Sequence, residues 1–127
     1  MGGWLTLSGI SGFLAVALGA FGAHGLQSRL EGVADGAKRL SWWQTAAHYH
    51  LVHALALALV AFALTRAPQA RFAGVAFCVG TLLFSGSLYA MALGGPRVLG
   101  AVTPLGGLAY LVGWAIVAWC GVTIGRS

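Results

Sequence analysis

Apolar residues come in four long blocks: Trp4 to Ala23, about Thr45 to Leu64, Phe72 to Leu93 and about Pro104 to Ile124. Each block is close to the roughly 20 residues a helix needs to cross the hydrocarbon core of a bilayer. None alternates with a period of two, and Ala and Leu dominate, so the strands of a membrane barrel are not expected. Helices also satisfy their own backbone hydrogen bonds, which lipid cannot do for them. The pattern therefore predicts an all-α membrane protein, a bundle of four transmembrane helices forming a single domain over residues 1–127. The helices are expected at about 4–23, 43–65, 71–93 and 104–125, with both termini on one side.

The connections between the blocks are unequal. Arg66 to Arg71 form a tight turn around Pro68, and Gly94 to Val102 a short glycine-rich one. The stretch from His24 to Ser41 is longer. Leu26, Leu30, Val33, Ala37 and Leu40 recur there at helical spacing, with charged and polar residues on the other face. This predicts a short amphipathic helix at about 26–40, lying in the membrane interface ahead of Trp42 and Trp43.

Composition confirms lipid as the solvent. Of 127 residues 59% are hydrophobic and only 7% charged, with a mean hydropathy of +0.87. Soluble domains carry about a quarter charged residues. The net charge of +5 comes from basic residues placed singly at segment ends, a membrane-flanking arrangement and not a nucleic-acid patch. These cations are balanced between the two sides, so they set no orientation. The first block lacks the basic start of a signal peptide and is too long for one. Met1 to Thr6 fit a myristoylation pattern only at chance level.

Burial alone does not draw helices together in lipid; close packing of small residues does. Ser11, Ala15, Gly19 and Ala23 make a small-residue ridge on the first helix. Gly86 in the third helix and Gly106 and Gly113 in the fourth are expected to pack in the same way. A helix broken around a substrate site is the functional alternative for the Leu99–Gly107 stretch. Cys78 and Cys120 read as small apolar residues, without a redox motif.

The candidate chemistry lies in the histidines. His53 falls ten residues after Trp43, roughly 15 Å along a helix. His50 and His53 differ by about 60° around the axis and share a face, whereas His48 lies about 160° from His50. Tracing the helices brings His24, His50, His53, Ser85, Ser87, Tyr89 and Thr103 to the end of the bundle that carries the first and third connections. Imidazoles so placed either hydrogen-bond neighbouring helices or bind a metal, haem, quinone, lipid headgroup or small molecule. His48 is read as facing the headgroups. No acid lies inside a predicted span, which argues against a carboxylate-driven transporter and against a serine hydrolase.

Four motifs are similar to those of one family. Gly19-Ala20-Phe21-Gly22-Ala23-His24-Gly25-Leu26, Tyr49-His50-Leu51-Val52-His53-Ala54-Leu55-Ala56, Phe84-Ser85-Gly86-Ser87-Leu88-Tyr89 and Thr103-Pro104-Leu105-Gly106-Gly107, then Gly113-Trp114, occur in order along the chain. They resemble the small membrane proteins of domain of unknown function 423, whose animal relatives are called transmembrane protein 256. The resemblance implies a multi-pass membrane protein and brings no established activity. Its histidine pattern maps onto His24 and His53, and position 50 alternates between His and Gln.

The expected function is that of a small multi-pass membrane protein without catalytic apparatus. It would be an accessory or assembly component of a membrane complex, its polar end packing helices and meeting lipid, other membrane subunits or a second copy. The alternative is a protein that binds a cofactor, metal, quinone or small molecule at that end, with His24, His53 and Tyr89 in contact and His50 behind them. A third reading is an oligomeric channel or carrier.

Overall fold

All regular structure is helical in the computed structural model, which describes residues 1–127. Four helices are long and apolar enough to cross a membrane, Gly2–Leu30, Gly36–Ala63, Ala70–Ala92 and Arg97–Gly125, here called spans one to four. The fold is an all-α bundle of four transmembrane helices. Span two has 28 residues and so runs about 42 Å at helical rise, more than the roughly 30 Å of hydrocarbon. Its first turns, with Lys38 and Arg39, reach into the headgroup region, and His50 and His53 fall near the middle.

The spans pair as two hairpins. Span one runs along span two and span four along span three, while spans two and three join the hairpins. Small residues set these contacts. A Cβ at Gly12 would lie 3.9 Å from that of Ala54, and one at Gly19 3.9 Å from that of Ala47. A Cβ at Gly106 would fall on the backbone of Phe84, and one at Gly113 on the Phe77 ring. Both hairpins also use an aromatic lid over a glycine. Trp43 of span two covers Gly22, and Tyr110 of span four covers Gly80.

Spans one and three each contain a single π-helical turn, Gly22–Leu26 and Thr81–Ser85. Such a turn inserts one residue and re-aims the side chains beyond it. In span one the contact ridge runs through Ala15, Gly19, Gly22, Leu26 and Leu30, and the expected step from Gly19 to Ala23 is not taken. Ala23 and His24 face outward. Gly86 meets no neighbouring helix, because a Cβ there would approach only the Thr81 carbonyl of its own span.

The first connection departs from expectation. No separate interfacial helix covers 26–40. Span one continues to Leu30, a turn comes next, and span two starts at Gly36. The apolar spacing was real, but it belongs to the ends of two helices. Leu26 and Leu30 are buried with Trp43; the first helix ends where Glu31 turns to ψ 129°, and Gly32, at φ 80°, takes the left-handed conformation that completes the turn. The Leu99–Gly107 stretch is likewise not a mid-membrane break. It is a single 3-10 turn, Arg97–Ala101, leading into helix from Thr103.

Charge ties this end together. Asp35 accepts a hydrogen bond from Arg97 and lies 3.8 Å from the Arg39 guanidinium. Arg39 Nε donates to the Ala92 carbonyl at 2.9 Å. The first and third connections are thereby clasped across the mouth of the bundle.

Gly106→Ala should lower stability by about 1–3 kcal/mol through overpacking against backbone. Gly9→Ala, where a Cβ meets nothing within 4 Å, should stay within about 0.5 kcal/mol of the parent. Unfolding of both variants in detergent micelles with rising sodium dodecyl sulfate measures the difference.

Candidate functional site

His50 and His53 do not share a site. Span three docks on span two between them, with Ser85 donating to the Ala46 carbonyl at 2.8 Å. The roughly 60° between the two rings is enough to send them to opposite sides of that contact.

His50 is buried and bridges three spans. Its Nδ1 lies 3.0 Å from the Tyr89 hydroxyl on span three, and its Nε2 lies 3.1 Å from the Ser11 hydroxyl on span one. Both partners are hydroxyls, which donate or accept as required. Either ring nitrogen can therefore carry the proton while both bonds are kept. Tyr89 is held in turn by Trp43, ring centroids 4.6 Å apart, and Trp43 is fixed by donating to the Leu18 carbonyl at 2.7 Å.

His53 is held quite differently. Its Nδ1 lies 2.7 Å from the Tyr49 carbonyl, and the Trp114 indole donates to its Nε2 at 3.0 Å. A carbonyl only accepts and an indole N–H only donates, so the ring is fixed as the neutral Nδ1–H tautomer. The Tyr110 ring stacks on it at 3.5 Å between centroids, nearly parallel, and Tyr110 is anchored by donating to Thr81 at 3.0 Å. Both nitrogens are committed to the protein, leaving no lone pair for a ligand.

Each histidine lies along a groove on its own side. The first, about 450 Å³, runs between spans one and three. Leu7, Ile10, Leu14 and Leu18 wall it on one side and Leu82 and Gly86 on the other, and the His50, Ser11 and Tyr89 polar groups meet along its floor. The second, about 500 Å³, lies between spans two and four and is largely aromatic, with Tyr49, His53, Phe84, Tyr110 and Trp114 on its surface.

The other sequence-predicted residues are more dispersed. His24 is exposed on span one, with only its backbone carbonyl engaged, by Ser28. It lies two residues past the buried Gly22, about 200° round the helix, and so stands apart from His53 and Tyr89. His48 is also exposed. Ser87 pairs with Thr103, tying span three to the start of span four. No group of three or more His, Cys, Asp or Glu side chains stands close enough to hold a metal ion. Cys78 and Cys120 are both free thiols.

Sequence reasoning treated Ser11 only as a packing residue and missed Tyr110 and Trp43. A hydroxyl at mid-span was a usable signal for Ser11. The Tyr110–Trp114 spacing of four, which places both rings on one helix face, was a usable signal for the partners of His53.

A sequence profile described as "Protein of unknown function (DUF423)" matches residues 18–107. The chain belongs to this family. It is 44% identical over 117 residues to the UPF0382 membrane protein of Haemophilus influenzae, covering 91% of this chain and 90% of the relative. It is 41% identical to the UPF0382 membrane protein YwdK of Bacillus subtilis, over 90% of this chain and 91% of the relative. The UPF0382 inner membrane protein YgdD of Escherichia coli is 44% identical over 89% of this chain and 84% of its own length. No solved structure matches. This DUF423 member is a multi-pass membrane protein that sits in the lipid bilayer, and the matched segment contains His50, His53, Ser85 and Tyr89.

Nitrogen NMR of the histidine rings should show His53 as a pure Nδ1–H tautomer. In Trp114→Phe that signature should be lost or mixed, with a stability cost of about 0.6 kcal/mol and no more than about 1.7.

Proposed function

We propose that this DUF423 protein is a membrane-embedded binding protein without covalent chemistry of its own. It holds a lipophilic molecule carrying a hydrogen-bonding oxygen, of the quinone or hydroxylated-lipid class, in the groove between spans one and three. The observation that carries this reading is the convergence of His50, Ser11 and Tyr89, from three different spans, on the floor of an otherwise apolar groove. Apolar walls with a few placed polar groups are the usual composition of small-molecule sites. The chemistry fits as well. Ser11 and Tyr89 each keep a lone pair beyond the bond to His50, and the ring proton can sit on either nitrogen. The trio can therefore meet a carbonyl by donating or a hydroxyl by accepting. His50 replaces His24 and His53 as the residue at the centre of the site.

A second reading is an accessory or assembly component whose polar groups only hold helices together. It is favoured by one observation: every buried polar side-chain atom already has a hydrogen-bond partner. Such interhelical bonds are each worth about 0.6 kcal/mol in membranes. Crosslinking in native membranes should then capture a partner subunit. A chain that stays monodisperse and uncrosslinked would count against it.

Quenching of tryptophan fluorescence by a short-tailed benzoquinone, with the protein in nanodiscs, tests the binding reading. Saturable quenching is expected. His50→Leu should weaken it about tenfold, the loss of about 1.4 kcal/mol, while Trp114→Phe, on the other groove, should leave the affinity unchanged. Quenching that only tracks partition into the bilayer, equal in parent and His50→Leu, would overturn it.

A further inference from the structure

A third hollow lies apart from both grooves, at the mouth of the bundle, where spans two, three and four meet the third connection. It encloses about 420 Å³. Its lower part is apolar, with Leu88 and Met91, and its upper part carries Trp42, Arg97 and Thr103. The Arg97 guanidinium lies over the Trp42 ring at 4.8 Å from the centroid, and the Lys38 ammonium lies over the same ring at 5.8 Å. One tryptophan thus gathers two cations, Arg97 in the lining of a hollow whose base is apolar and Lys38 beside that lining.

The charge balance there is one-sided. Arg39 and Arg97 share a single acid, Asp35, and Lys38 lies over the same tryptophan as Arg97, so these three cations against one anion leave an excess of two positive charges. Arg39 is turned inward, its Nε donating to the Ala92 carbonyl. Arg97 spends one terminal nitrogen on Asp35 and remains more than half exposed, at 57%, with the rest of its fork free. A guanidinium fork suits phosphate oxygens well. Lys38 makes no ion pair within 4.0 Å. The hollow is also at the right depth. Trp42 lies in the second turn of span two, Thr103 opens the helix of span four after its 3-10 turn, and Met91 and Leu88 fall in the last turns of span three. A ligand seated here has its anionic part among headgroups and its apolar part among acyl chains.

We infer that this hollow is a site for the headgroup of an anionic glycerophospholipid. Its phosphate is held by Arg97 and Lys38, the two cations that Trp42 gathers, and its glycerol and first acyl carbons rest on Leu88 and Met91. A basic residue at a membrane surface attracts anionic lipid by about 1 kcal/mol. The pocket converts that diffuse attraction into a located one. Asp35 competes with the phosphate for Arg97, which makes its removal a diagnostic change in the opposite direction to removal of a cation.

Native mass spectrometry of the full chain, released from detergent after titration with phosphatidylglycerol or phosphatidylcholine, reads the site directly. One phosphatidylglycerol should be retained at least about fivefold over phosphatidylcholine, the ratio that about 1 kcal/mol provides. Arg97→Gln combined with Lys38→Gln should abolish the preference, and Asp35→Asn should raise it. Arg126→Gln, at the opposite end of the bundle, should leave it as in the parent. Equal retention of both lipids by the parent would overturn the inference, as would a preference that survives in the Arg97→Gln, Lys38→Gln protein. A preference that falls in Asp35→Asn would also overturn it, since that result would make the clasp and not the cations the determinant. Benzoquinone binding at the His50 groove is a separate readout and should not change in these variants.

Discussion

Close approach of helix backbones is what the rest of this molecule depends on. In a bilayer a leucine gains little by leaving lipid for protein, so contact must come from van der Waals fit and from hydrogen bonds that need short distances. Gly106 against the backbone of Phe84 and Gly22 beneath Trp43 provide such fit. The polar bonds depend on it. Ser85 reaches the Ala46 carbonyl, and Ser8 the Ala54 carbonyl at 2.7 Å, only because the spans already lie side by side. The same tight packing in spans one to three brings Ser11, His50 and Tyr89 within hydrogen-bond reach across three helices.

The scaffold was far more legible in the sequence than the site. Four apolar blocks, with no charged residue inside any of them, leave little choice of architecture once lipid is recognised as the solvent. The ends were less readable, because amphipathic spacing from Leu26 to Leu40 looks alike in one interfacial helix or in two helix ends. The turn at Glu31 and the left-handed Gly32 decided between them. Neither π-helical turn had a sequence signature, and His24 faces away because it lies two residues past the buried Gly22, about 200° round the helix. His50 and His53 were placed on a common face, which is right for an isolated helix. That face, however, is where span three docks, so a 60° difference separated them into two environments. Helix geometry alone could not supply that neighbour.

The two histidines show how the same side chain acquires different capacities from its partners. His53 faces a carbonyl and an indole, each with one possible role, and it is locked. His50 faces two hydroxyls, each with two roles, and it is adaptable. The distinction lies wholly in the hydrogen-bond grammar of the neighbours, and both rings are buried with no acid among their hydrogen-bond partners. A stacked Tyr110 further immobilises His53, which makes it a keystone for spans two and four in the same way that Trp43 is for spans one and two.

A tryptophan lies just beyond each end of the groove along His50. Trp4 lies over Gly74 where span one begins, and Trp43 lies against Tyr89 where span three nears its end. These rings lie beyond the two ends of the slot, whose walls between spans one and three are apolar, with Leu7, Ile10, Leu14 and Leu18 facing Leu82. A lipophilic molecule held there as proposed would enter sideways, through the acyl chains. Occupancy would follow how much of a molecule is dissolved in the membrane leaflet and not its concentration in water, so a compound vanishingly dilute in the aqueous phase could still keep the slot filled.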